Sequence, residues 1–417
     1  MNLSVPKLVA EKVEKPAKTE KRVQGIDVLR GLCIVAVVLH HLNLRIRFNQ
    51  SGLGKLLGAA ANRVLFWSGY YGVIVFFVIS GFLIATWSLK RWGGLNKISL
   101  RQFYSMRFAR IVPCLVGLLI VLSILDRAGV PRFVINTQHT SLGRALLAAL
   151  TFHVNWLEAR TGYLPASWDV LWSLSVEEVF YVFFPLLCVV VRKQALLVTL
   201  LVAFVVVGPL ARTVLTHNQL WADYGYLSCM DGIALGCLAA IIANRTRFGG
   251  VNLGGVNLGG VSLENKANLL LRSLLLLGAA LCIFIVVFRG TVDSLGLYKT
   301  GVDVTVLEAG TALMVIALQQ RFERDAAPGR WPTAIVRWFG RNSYEVYLTH
   351  MFVLWPIVWA FSRFHQSINA APVWFVAATG LSGVFGYVVA RWYSEPVNRG
   401  LRARLAAGRL PKLPKLP

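Results

Sequence analysis

The chain has 417 residues, of which 56% are hydrophobic and 15% charged, with a mean hydropathy of +0.60. That leaves too little polar surface to cover a soluble domain of this size, so a water-soluble enzyme is excluded and an integral membrane protein is indicated. The formal net charge of +24 sits mostly in short loops and tails, where it reads as a membrane-orientation signal and not as a nucleic-acid surface.

Residues 1–24 are rich in Lys and Glu, contain no apolar core and precede no small-residue cleavage site. They read as a disordered cytoplasmic tail, not a cleaved signal peptide. The first apolar run, 26–45, carries Arg30 near its start and His41 near its end. Eleven residues make about three helical turns, so these side chains differ by about 20° around the axis and lie about 16 Å apart along it. They share a face, with a fixed cation entering from one membrane surface and an imidazole from the other; His40 points about 80° away.

Further spans read at 64–89, 107–125, 172–191, 194–215, 224–243, 268–288, 302–320, 343–362 and 373–394. The segment 144–158 is ambiguous. If it crosses, the basic loops around 192–193, 244–266 and 321–341 fall on the wrong side of the positive-inside rule, so it is expected to be re-entrant or interfacial. The basic 45–63 loop is then one tolerated exception on the outer side. The expected fold is an all-α polytopic bundle of about ten transmembrane helices plus one re-entrant or interfacial helix. The membrane domain is 25–396, followed by a basic, Pro-rich tail over 397–417, with both termini cytoplasmic. The Gly-Gly-Val-Asn-Leu repeat at 249–263 reads as a flexible loop.

Ionisable groups inside such spans cost at least about 2.5 kcal/mol each, so each is paired, lines a wet cavity, or works chemically. Arg107 and Arg110 are neighbours on one helix face, placed to grip phosphates, although spacing alone favours ordinary anchoring arginines. Glu177 and Glu178 enter the next span about 100° apart, so one at most is expected to face the interior; an orienting or proton-relaying carboxylate and a structural ion pair are both open. His350 alone reads as a helix-to-helix hydrogen-bond partner, and Asp231 is similarly ambiguous. Asp223 and Asp303 lie near span ends, where solvation is expected. The six cysteines have no pairing or metal-ligand spacing, and no metal cluster, nucleotide loop or Ser-His-Asp order stands out.

Five stretches together carry a resemblance. They are Gly25-Ile26-Asp27-Val28-Leu29-Arg30-Gly31-Leu32 leading to His41, Phe76 to Ile84, Arg107 to Pro113, Trp172 to Tyr181, and Asn342 to His350. In this order and spacing the chain resembles the acyltransferase-3 family of integral membrane O-acyltransferases over about 24–396. The resemblance implies transfer of an acetyl or other short acyl group from cytoplasmic acetyl-CoA to a hydroxyl of a surface glycan, such as lipopolysaccharide, or of a lipid-linked saccharide. It implies His41 and Glu177 as catalytic residues and Arg30, Arg107 and Arg110 as acyl-CoA-binding residues. Asp27, Ser173, Tyr344 and His350 are supporting, and no metal is expected. Three departures stand out. His40 replaces the usual aromatic residue before the histidine, and Ser228, Cys229 and Met230 stand where relatives often carry a basic residue before Asp231. Many relatives carry an extracytoplasmic SGNH-type domain; the chain is expected to be a stand-alone membrane domain without it, so that a second transfer step would need another protein.

Two other readings share the composition. In a transporter or flippase, Arg30, His41 and Glu177 would form a proton or substrate pathway, which calls for broken helices or an inverted repeat that the sequence does not display. In a lipid- or glycan-binding assembly protein, the Arg30-to-His41 pairing would have no chemical use.

Overall fold

The computed structural model describes residues 22–135, 138–246, 263–325 and 331–406, and among these every regular element is helical. The first half comprises α1 (Gln24–Asn43), α2 (Gly52–Phe66), α3 (Gly69–Trp92), α4 (Leu100–Arg127), α5 (Leu142–Leu150), α6 (Val154–Thr161), α7 (Ala166–Asp169), α8 (Leu171–Val191) and α9 (Gln194–Thr213). The second comprises α10 (Gln219–Tyr224), α11 (Tyr226–Arg245), α12 (Leu263–Val287), α13 (Arg289–Ser294), α14 (Val302–Asp325), α15 (Ala334–Arg341), α16 (Ser343–Arg363), α17 (Ala371–Val389) and α18 (Glu395–Ala406). In hydrocarbon a helix satisfies all its backbone polar groups internally, so apolar runs of this length have no other way to span.

Nine helical stretches among the described residues are long and apolar enough to cross a membrane. The 21-residue α16 is a further helix of spanning length, about 30 Å, but its sequence is interrupted by Glu345 and His350. The protein is an all-α polytopic membrane protein.

The ambiguous 144–158 segment is two short helices, α5 with 9 residues and α6 with 8, broken where Phe152 takes φ 57°. Each is only about 13 Å long or less, so neither spans. At the other end, residues 397–406, read from sequence as tail, are helical. A π-helical stretch, Ala390–Ser394, keeps the chain hydrogen-bonded past α17, Ser394 Oγ donates to Glu345 Oε1 at 2.9 Å, and α18 packs along α4. The expectations for residues 1–21, the repeat over 249–262 and the Pro-rich 407–417 lie outside the described residues.

Close helix crossings place the site. A Cβ on Gly31 would stand 1.9 Å from Val336 O, and one on Gly340 1.8 Å from Asp27 O, so α1 and α15 touch backbone to backbone. Asp27 reinforces that crossing, with Oδ2 3.6 Å from Arg341 Nε and Oδ1 4.0 Å from Arg22 Nε. Asp231 forms a structural ion pair: Arg212 of α9 donates Nη1 to Oδ1 at 3.1 Å and Nη2 to Oδ2 at 2.8 Å. Asp303 corrects an expectation, for it is buried; the turn ahead of α14 is drawn onto α9 by Arg212, whose Nε donates to Gly301 O at 3.0 Å.

Candidate active site

Arg30 and His41 both meet α16, as side chains on one face of α1 must. At one end Arg30 Nη2 and Nε donate to Ser343 Oγ at 2.8 and 3.2 Å. At the other, His41 Nδ1 lies 2.8 Å from His350 Nε2, with the rings stacked at a centroid distance of 5.0 Å.

The hydrogen-bond partners assign the tautomers. His350 Nδ1 faces only carbonyls, Tyr347 O at 2.7 Å and Val346 O at 3.2 Å, so it carries the proton and donates. His350 Nε2 is then an acceptor, His41 Nδ1 must donate to it, and the lone pair of His41 is left on Nε2. His40 is held elsewhere: its Nδ1 donates to Phe66 O at 3.2 Å, and its ring lies edge-on to Trp67. His40 and His41 therefore both keep a lone pair on Nε2, but only His41 is backed by a second imidazole, whose Nε2 accepts its Nδ1–H.

Two adjoining cavities lie toward the Arg30 end. The outer, about 320 Å³, is lined by Arg22, Asp27, Arg30, Lys90, Arg107, Arg110 and Arg402 among others. The inner, about 130 Å³, shares Arg30, Leu83, Arg107 and Arg110 with it, and continues past Glu177, Glu178, Ser173, Tyr344 and Tyr347. The Arg107 guanidinium sits 4.2 Å above the Tyr181 ring, and neither Arg107 nor Arg110 has an ion-pair partner among the described residues. Both arginines line the two cavities, Arg107 half-buried and Arg110 exposed.

Both Glu177 and Glu178 border the inner cavity, against the expectation that one at most would face inward. The cavity is a cleft bounded by α3, α4, α8 and α16, wide enough for two directions about 100° apart to reach it. Ser80, hydrogen-bonded to Tyr181, lines it as well. Tyr344 donates to Ile111 O at 3.2 Å and ties α16 to α4.

Neither His41 nor His350 lines either cavity. Tyr347 borders both regions: it lines the inner cavity, its hydroxyl accepts from Ser173 Oγ at 2.8 Å, and its ring centroid is 6.1 Å from that of His350. Tyr347 went unnoticed in sequence, although its spacing three after Tyr344 and three before His350 put it on their helix face. Arg402 also escaped notice, because it follows the last span. Among the described residues no group of three His, Cys, Asp or Glu is placed to hold a metal ion.

The model of the acyltransferase-3 family, described as an acyltransferase domain, matches residues 23–391. The chain belongs to the acyltransferase-3 family. It is 29% identical over 184 residues to the peptidoglycan O-acetyltransferase OatA of Listeria monocytogenes, covering 42% of this chain and 25% of that one. It is 24% identical over 342 residues to the putative peptidoglycan O-acetyltransferase YrhL of Bacillus subtilis, covering 79% of this chain and 48% of the relative. A putative O-acetyltransferase of Staphylococcus aureus strain COL is 28% identical over 180 residues, 41% of this chain and 26% of its own. The chain thus spans from about a quarter to about half the length of these family members. No solved structure matches it. Asp231 takes its cation from Arg212 of the neighbouring helix.

Proposed function

We propose that this acyltransferase-3 family chain is a membrane O-acetyltransferase that moves an acetyl group from acetyl-CoA to a hydroxyl of an extracytoplasmic glycan or lipid-linked saccharide. The observation that carries the reading is the sequence of groups from one membrane face to the other: a cationic mouth, a narrow cavity with two carboxylates, then an imidazole with its lone pair on Nε2. The names of the O-acetyltransferase relatives support it. The Arg30 end faces the cytoplasm in this reading, in keeping with the positive-inside bias, and both termini lie there.

In the proposed reaction Arg30, Arg107 and Arg110 hold the phosphates of the donor by charge-assisted hydrogen bonds. The thioester end passes Glu177 and reaches His41 once the Ser173–Tyr347 hydrogen bond opens. His41 Nε2 takes the proton of the acceptor hydroxyl as its oxygen attacks the thioester carbonyl. The tetrahedral adduct collapses, its C–S bond breaks, and the departing thiolate takes the proton from His41 Nε2, which returns the ring to its neutral form. The imidazolium formed on His41 is stabilised because Nδ1–H already points at His350 Nε2, which can share the charge. Asp27 and Tyr344 fasten α1, α15, α16 and α4 around this path.

Membranes containing the chain, given acetyl-labelled CoA and a crude surface-glycan fraction, will transfer label and release CoA. Arg30→Ala at equal abundance will raise KM for acetyl-CoA several-fold. Movement of glycolipid without consumption of acetyl-CoA would instead make Arg30, His41 and Glu177 a transport pathway.

A further inference from the structure

The outer cavity has a charge balance that ordinary anchoring does not explain. Six cations and one carboxylate line it: Arg22, Arg30, Lys90, Arg107, Arg110 and Arg402 against Asp27. Lys90 is paired with Glu323 at 3.1 Å, and Asp27 is taken up by Arg22 and Arg341. Arg30, Arg107, Arg110 and Arg402 keep no carboxylate partner among the described residues. Glu177 and Glu178 in the adjoining inner cavity offset Arg30, Arg107 and Arg110 in part, but Arg402 does not line that cavity, so the concavity of about 320 Å³ keeps an excess of positive charge that a bound anion would relieve. Sites of about 300–1,000 Å³ hold small-molecule ligands.

Arg402 comes from α18, the helix that the π-helical stretch carries past the last span and lays along α4 beside Arg107 and Arg110. Arg402 is exposed, as an anchoring arginine is, yet it borders the same cavity as the buried Arg30. We propose that α18 completes a phosphate-binding site in which Arg402 grips the nucleotide end of the acyl donor, opposite Arg107 and Arg110. The ligand class is a nucleotide with a pyrophosphate and a separate ribose phosphate monoester. The monoester alone brings about −1.5 to −2 charges at pH 7, enough to occupy a guanidinium that the pyrophosphate does not reach. This rests on the acetyl-CoA reading above and adds to it a residue and an element that the motifs around Arg30 and Arg107 do not contain.

The test compares acetyl-CoA, acetyl-3′-dephospho-CoA and the phosphate-free S-acetylpantetheine as donors for the full-length protein in nanodiscs, with and without phosphatidylglycerol. In Arg402→Ala the preference for acetyl-CoA over S-acetylpantetheine, as a ratio of kcat/KM, falls about tenfold, through KM. Arg402→Lys retains part of it, and 3′,5′-ADP inhibits the variant more weakly than the wild type. An unchanged ratio, or an equal loss for both donors, overturns the assignment. A loss that appears only as a changed dependence on phosphatidylglycerol overturns it too, and gives Arg402 to a lipid headgroup. Wild-type protein that uses none of the three donors would sink the acetyl-CoA reading itself, a result distinct from failure at Arg402.

Discussion

Two imidazoles 2.8 Å apart are an unusual feature inside a membrane chain, and their carbonyl neighbours decide which one is reactive. Since His350 Nδ1–H is committed to Tyr347 O, His350 acts through His41 as a positioning residue. His350→Leu should then lower kcat about ten- to hundredfold, the scale of losing an orienting partner. His350→Gln, whose amide oxygen can still accept from His41 Nδ1, should recover part of that activity. Equal loss in both variants, measured as CoA release at saturating donor, would contradict the tautomer assignment. The sequence already placed Arg30 and His41 on one face, because helical periodicity needs no tertiary information. It could not show that His350 would be their neighbour, since 309 residues separate the two histidines in the chain.

At the scale of elements, the site depends on how closely α1 lies against α15 and α16. Gly31→Ala puts a methyl group 1.9 Å from a backbone carbonyl, and backbone cannot swing aside as a flexible side chain could. The helices must part, at a cost of about 1–3 kcal/mol for an overpacked contact. A lowered melting temperature in detergent, with a higher KM for acetyl-CoA as Arg30 moves from Ser343, is the expected result; an unchanged melting temperature would mean that α1 and α15 do not touch there. Long apolar helices were legible because hydrocarbon admits so few structures. The division of 144–158 into α5 and α6 was not, because it turns on the single left-handed residue Phe152, which no apolar pattern marks. The fate of residues 397–406 was equally hidden: their sequence is polar enough for a tail, and only packing against α4 makes them a helix with a place in the outer cavity.

Across the whole molecule, polar groups are distributed by task. The Arg212–Asp231 pair, with side chains 6% and 0% exposed, ties α9 to α11 away from both cavities and reads as structural. Arg212→Met strands a buried carboxylate and should cost about 3–5 kcal/mol, whereas Arg212→Met with Asp231→Leu should recover much of that stability. Thermal unfolding of both variants checks this, and a single variant as stable as the wild type would refute it. The other line of polar residues runs from Arg402 and Arg110 through Arg30 and Glu177 to Tyr347 and then His41, and in the proposed function it is where donor and acceptor would meet. The most direct test of that account is acetyl transfer from acetyl-CoA by wild type, His41→Ala and His40→Ala at matched membrane abundance. The account predicts a loss of about 10²- to 10⁴-fold for His41→Ala, the range for a general base, and substantial activity in His40→Ala. Full activity in His41→Ala would contradict it.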